Sequence, residues 1–72
     1  MKLGDKIILK GKSLKGKNRI GQHGKEWTVI VITPVRVLVK SADKTFKMPD
    51  GTWATDARWL DLPTDRDFEI VG

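Results

Sequence analysis

Four lysines and two glycines fall within ten residues of this chain. They form the near-tandem pentads Leu9-Lys10-Gly11-Lys12-Ser13 and Leu14-Lys15-Gly16-Lys17-Asn18, and Arg19 follows at once. Glycine lets a backbone approach a partner closely, while ammonium groups supply point charges, and together they suit an anionic polymer. Lys10, Lys12, Lys15, Lys17, Arg19 and Lys25 are therefore the candidate phosphate contacts. Asn18 and Gln22 can hydrogen-bond phosphate, sugar or base edges, and His23 can stack on a base. The competing reading is a solvated basic loop that only keeps a small protein soluble.

Other constellations carry less. Gly11-Lys12-Ser13 is the ending of a phosphate-binding P-loop, but that motif needs a glycine where this chain has Lys6. His23 is the sole histidine and stands between glycines without a serine–carboxylate constellation, so a loop residue with one polar contact is expected. Asp65-Arg66-Asp67 lacks the spacing and the glycine of a calcium loop, and fits a turn whose carboxylates bond the local backbone. Trp27 is in phase with Val29 and Val31 and is expected in the core. Trp53, after a turn, and Trp59, beside Arg58, are the candidate stacking or partner surface. The chain is expected to be no enzyme, with no cofactor and no metal.

Charge is unevenly distributed. Residues 1–25 hold seven lysines and Arg19 against Asp5, a local charge of +7. Residues 49–72 hold Arg58 and Arg66 against five aspartates and Glu69, a local charge of −4. A molecule with a positive and a negative side can orient a partner as well as attract one. There is no cysteine, hence no disulfide, thiol nucleophile or cysteine-bound zinc. Met1 to Lys6 carries no apolar signal core, and the apolar run Trp27–Val39 is too short to span a bilayer as a helix. A soluble cytoplasmic protein is expected.

The elements that must position these residues follow from period-two apolar patterning. Ile7 and Leu9 share a face opposite lysines, residues 27–33 are apolar on both faces, and Val35, Val37 and Val39 oppose Arg36, Leu38 and Lys40. β-Branched enrichment favours strands. Ser41–Lys44 reads as a turn, Pro49-Asp50-Gly51 as a stronger one, and Thr52-Trp53-Ala54 as a returning strand. Residues 57–62 suit either a strand or a helical turn, and Pro63–Asp67 precedes a last strand at Phe68. A two-residue hairpin at Thr33-Pro34 is excluded by proline, leaving a kink or a wider loop. The prediction is one all-β domain over residues 1–72, a small SH3-like barrel of five to six short antiparallel strands with a long basic loop at 10–26. Val29, Val31, Val37 and Ile70 are expected to point inward.

The first half of the chain resembles the KOW motif of ribosomal and transcription-elongation proteins. The likeness rests on Gly4-Asp5, Ile7-Ile8-Leu9, Gly11, Lys15-Gly16, and Gly21-x-x-Gly24 leading into Trp27 and Val29. The turn at Pro63–Asp67 before Phe68-Glu69-Ile70-Val71 is similar to that before the last strand of SH3 domains. The second LKGK unit and the two residues between Gly24 and Trp27 depart from the KOW pattern. The resemblance implies a barrel whose first loop contacts RNA or a protein.

Two functions are thus expected in competition. One is nucleic-acid binding, RNA or DNA, through the lysine/glycine segment. The other is a protein-interaction module, a regulator of a larger complex, using Trp53, Trp59 and an acidic C-terminal surface.

Overall fold

The computed structural model describes all 72 residues. Its elements are β1 (Lys6–Gly11), α1 (Leu14–His23), β2 (Glu26–Ile32), β3 (Arg36–Lys47), β4 (Trp53–Asp61) and β5 (Phe68–Ile70). The five strands form one antiparallel sheet in the order β4-β3-β2-β1-β5, curled into a half-barrel with α1 on its concave side. The expected all-β barrel architecture is present, with five strands. No helix is long and apolar enough to cross a membrane.

Curling follows from how β1 divides its partners. Lys6–Ile8 pair with β2, whereas Leu9–Gly11 pair with β5. Alternation then sends Ile7, Leu9, Trp27, Val29, Val37, Val39, Leu60 and Phe68 into one buried cluster. Trp27 is fully enclosed, and its indole N–H donates to the Gly24 carbonyl at 3.0 Å. Ile20 of α1 packs against this cluster from the other side.

Two of the four residues expected to point inward do not reach the core. A bulge between Val29 and Val31 shifts the register, so Val31 pairs with Leu38 on the outer face and is 38% exposed. Ile70 pairs with Leu9 on the inner side, but β5 is the rim of the sheet and leaves it 37% exposed.

The basic loop expected at 10–26 is a second correction. β1 continues to Gly11, and ten residues from Leu14 form a helix. Ser13 caps it, its hydroxyl accepting from the Gly16 N–H at 3.0 Å. Gly24, at φ 85°, ends it with its own N–H on the Ile20 carbonyl. Two further glycines serve packing: a Cβ on Gly16 would collide with the Asp67 carbonyl oxygen, and one on Gly11 would lie 2.5 Å from the Lys17 nitrogen. The LKGK repeat is therefore the seam where the helix crosses β1 and the segment before β5.

Ser41–Lys44 is no chain reversal either. Pairing passes from Lys40 opposite Ala57 to Lys44 opposite Thr55, so three β3 residues bulge against one of β4. Ser41 is buried in this bulge, donating to the Asp43 carbonyl at 2.9 Å and accepting from the Asp56 N–H at 2.9 Å. The reversal comes at Pro49-Asp50-Gly51, with Gly51 at φ 90°. Residues 57–61 continue β4 as strand. Thr33, Pro34 and Val35 form the wider loop that proline requires, with the Thr33 hydroxyl accepting from the Arg36 N–H at 3.0 Å.

Candidate nucleic-acid interface

The helix that carries half of the candidate residues is fastened at both ends. At its start, Ser13 Oγ donates to Asp67 Oδ1 at 2.6 Å, and Asp67 Oδ2 takes the Arg58 guanidinium at 2.9 Å. The Ser13 hydrogen bond, followed by the nearby charges of Arg58, Lys15 and Arg66, holds the Asp67 carboxyl below its ordinary range. Near its end, Arg19 Nη1 meets Asp56 Oδ2 at 3.0 Å, and His23 Nδ1 lies 2.5 Å from Thr45 Oγ1. Asp56 Oδ2 is also 3.8 Å from His23 Nε2.

These ties sort the candidates. Arg19 and His23 are committed to β3 and β4, and His23 is buried, so it presents no ring for stacking. The polar contact expected of His23 is present, at the end of a helix rather than in a loop. Lys12 is exposed and donates to the Asp65 carbonyl at 2.9 Å, a neutral acceptor that tethers the side chain and leaves its charge in place. Lys10, Lys12, Lys15, Lys17, Asn18, Gln22 and Lys25 are exposed.

Two shallow hollows collect the free residues. One, between α1 and β1, has a floor of Ile8, Leu9, Gly11, Ile20 and Val71, rimmed by Lys10, Lys17 and Lys25. No carboxylate lines it, and its volume is about 440 Å³. The other runs along the exposed face of α1 and is lined by Leu14, Lys15, Asn18, Arg19 and Gln22. Neither contains an aromatic side chain.

The remaining candidates lie elsewhere. Trp59 is 39% exposed on the outer sheet face, with the Arg36 guanidinium stacked 4.4 Å from its ring centre. Trp53 is 55% exposed near the hairpin end, opposite Lys47. The two are six strand steps apart, about 20 Å, so they make no single patch. Arg58 does not join them, because alternation turns it inward onto Phe68, 4.6 Å from the ring centre. The stacking partner of Trp59 is Arg36 on the paired strand β3, which adjacency to Arg58 concealed.

The carboxylates of the C-terminal third are mostly engaged. Asp65 Oδ1 accepts from the backbone of Asp67 and Phe68, and its Oδ2 from that of Asp61, as a turn residue should. Asp56 and Asp67 hold arginines. Asp50 accepts from both the N–H and the hydroxyl of Thr52, which lowers its pKa. Asp61 and Glu69 alone present carboxylates without such partners.

No family model matches this chain, and neither a curated protein nor a solved structure matches it.

Proposed function

We propose that this protein is a non-enzymatic nucleic-acid-binding module. Its binding face consists of α1 and the adjoining end of β1. The observation that carries this reading is the hollow with an apolar floor, three lysines at its rim and no carboxylate in its lining. Such a surface attracts a polyanion, with Glu69, opposite Lys10 on β5, as the carboxylate next to its rim. The resemblance of the first half to KOW barrels supports the same side of the molecule. Lys10, Lys17 and Lys25 take phosphates, with Lys15, Asn18 and Gln22 beside them on the helix.

A second reading has its own observation. Val31, Leu38 and Trp59 lie in one cross-strand row on the outer face, with Arg36 over the indole. That row suits a protein partner, since Trp and Arg are enriched where interfaces concentrate their energy.

Titrating a labelled oligonucleotide between 50 and 200 mM salt, as a rough working range, separates the two readings. With about three to five phosphates engaged, duplex DNA gives a log–log slope near −3 to −4.5. Replacing Lys10, Lys17 and Lys25 together by Ala flattens that slope by roughly 2 to 3, with each substitution changing stability by no more than about 0.5 kcal/mol. No binding at low salt, or a slope unchanged in the triple variant, refutes the nucleic-acid reading.

A further inference from the structure

We infer that α1 is a reading helix for B-form duplex DNA, entering the major groove with Asn18 and Gln22 against base edges. The inference rests on the nucleic-acid reading above and names the form of nucleic acid it takes.

Gly21 is the starting point. The other glycines inside the domain have internal reasons: positive φ at Gly4, Gly24 and Gly51, or backbone crowding at Gly11 and Gly16. Gly21 has neither. Its φ is not positive, and a Cβ there would meet nothing within 4 Å. It therefore weakens the helix relative to alanine with no return inside the fold. A missing side chain on an open helix face lets a partner's surface come closer there than any other residue would allow.

The residues around it have matching chemistry. Asn18 is one turn before Gly21 and Gln22 directly follows it. Lys15, Asn18 and Gln22 succeed one another at intervals of three and four, on one face. From Lys15 to Gln22 the helix advances about 10 Å, close to three base-pair steps. Asn and Gln amides are the side chains that pair bidentately with adenine in the major groove. Leu14, 76% exposed at the first helical position and one turn before Asn18, has no internal partner and suits a thymine methyl. Arg19 and His23 tie the helix to Asp56 and Thr45, which fixes how this face is turned relative to the sheet.

Duplex is favoured over single strand by what is missing from the lining. Sequence-tolerant single-strand sites use aromatic platforms, and neither hollow holds one. The B-form major groove admits a helix, whereas that of A-form RNA is too deep and narrow. Lys17 belongs to the helix and lines the neighbouring hollow with Lys10 and Lys25, so phosphates of one flanking strand have a seat beside the groove.

Fluorescence anisotropy with four labelled probes tests this: an A·T-rich DNA duplex, a G·C-only duplex, the A·T-rich single strand and the matching RNA duplex. At equal salt the A·T-rich duplex is expected to bind at least about tenfold tighter than the single strand or the RNA. Asn18→Ala with Gln22→Ala is expected to reduce the A·T over G·C preference by roughly 5- to 100-fold while keeping the salt slope. Gly21→Leu is expected to raise the melting temperature by roughly 2–8 °C and yet weaken duplex binding about tenfold or more. Equal affinity for single strand and duplex overturns the inference and leaves nucleic-acid binding standing. An unchanged preference in the Asn18/Gln22 variant, or undiminished affinity in Gly21→Leu, also overturns it. Failure to bind any probe at low salt overturns both readings.

Discussion

Arg58 and Asp67 meet at 2.9 Å across the side of the half-barrel where β4 and β5, the two ends of the sheet, make no backbone ladder. The guanidinium lies over Phe68 and the carboxylate also accepts from Ser13, so one ion pair joins a sheet edge, a core ring and the helix cap. A charge in an inward position of an edge strand also discourages unwanted strand pairing. One Arg58 atom, Nε, is buried without a partner, so the tie is incomplete on the arginine side.

Acid should therefore loosen this junction. The folded Asp67 carboxyl titrates below its ordinary 3.8, so its contribution to stability is complete above that value. It is lost as pH falls through the lower folded pKa. Asp67→Asn is expected to be less stable than the parent at neutral pH, with the gap closing in acid. Urea melts at pH 7, 4 and 2.5, as rough sampling points, provide the check. A gap that widens in acid would contradict the assignment.

Gly16→Ala is expected to destabilise by about 1–3 kcal/mol, although alanine is the better helix former. The added methyl collides with the Asp67 carbonyl oxygen, which belongs to backbone and cannot swing aside. Thermal melts beside Gly21→Ala isolate the effect, because the second methyl meets open space and is expected to stabilise.

Core truncations should rank by enclosure. Leu60→Ala, at a fully buried site, is expected to cost about 2–5 kcal/mol. Ile70→Ala at the sheet rim should cost clearly less, and Lys40→Ala should stay within about 0.5 kcal/mol. Chemical denaturation of the three variants gives the order. Lys40→Ala as the most damaging change would reverse the inner and outer faces.

Thr45→Val tests the far fastening of the helix. It removes the hydroxyl at the buried His23 ring, and an orphaned buried polar group costs about 1–3 kcal/mol. Hydrogen exchange should report faster opening at the last turn of α1 than at its first, where Ser13 and Asp67 remain. Equal acceleration at both ends would mean the helix opens only as a whole.

The sequence by itself settled most of the strands, because alternation is a local property, but not the bulges at Val29/Val31 and Ser41–Asp43 that reset their register. Ile7 with Leu9, Val37 with Val39, and the turn at Pro49-Asp50-Gly51 were each legible from neighbours two or three residues apart. It also located the positive stretch of the chain, since charge is additive along a sequence, but not its surroundings, because Asp56 and Asp67 fold back onto that stretch. The helix was signalled by Ser13 and Gly24, residues suited to its two caps. Glycines at 16 and 21 argued against it, and Gly16 makes sense only once the Asp67 carbonyl lies against it. Tertiary structure alone decided which cations are free. Arg19 and Arg58 are paired with Asp56 and Asp67, partners 37 and 9 residues away, and no local pattern encodes a contact closed by the curl of the sheet.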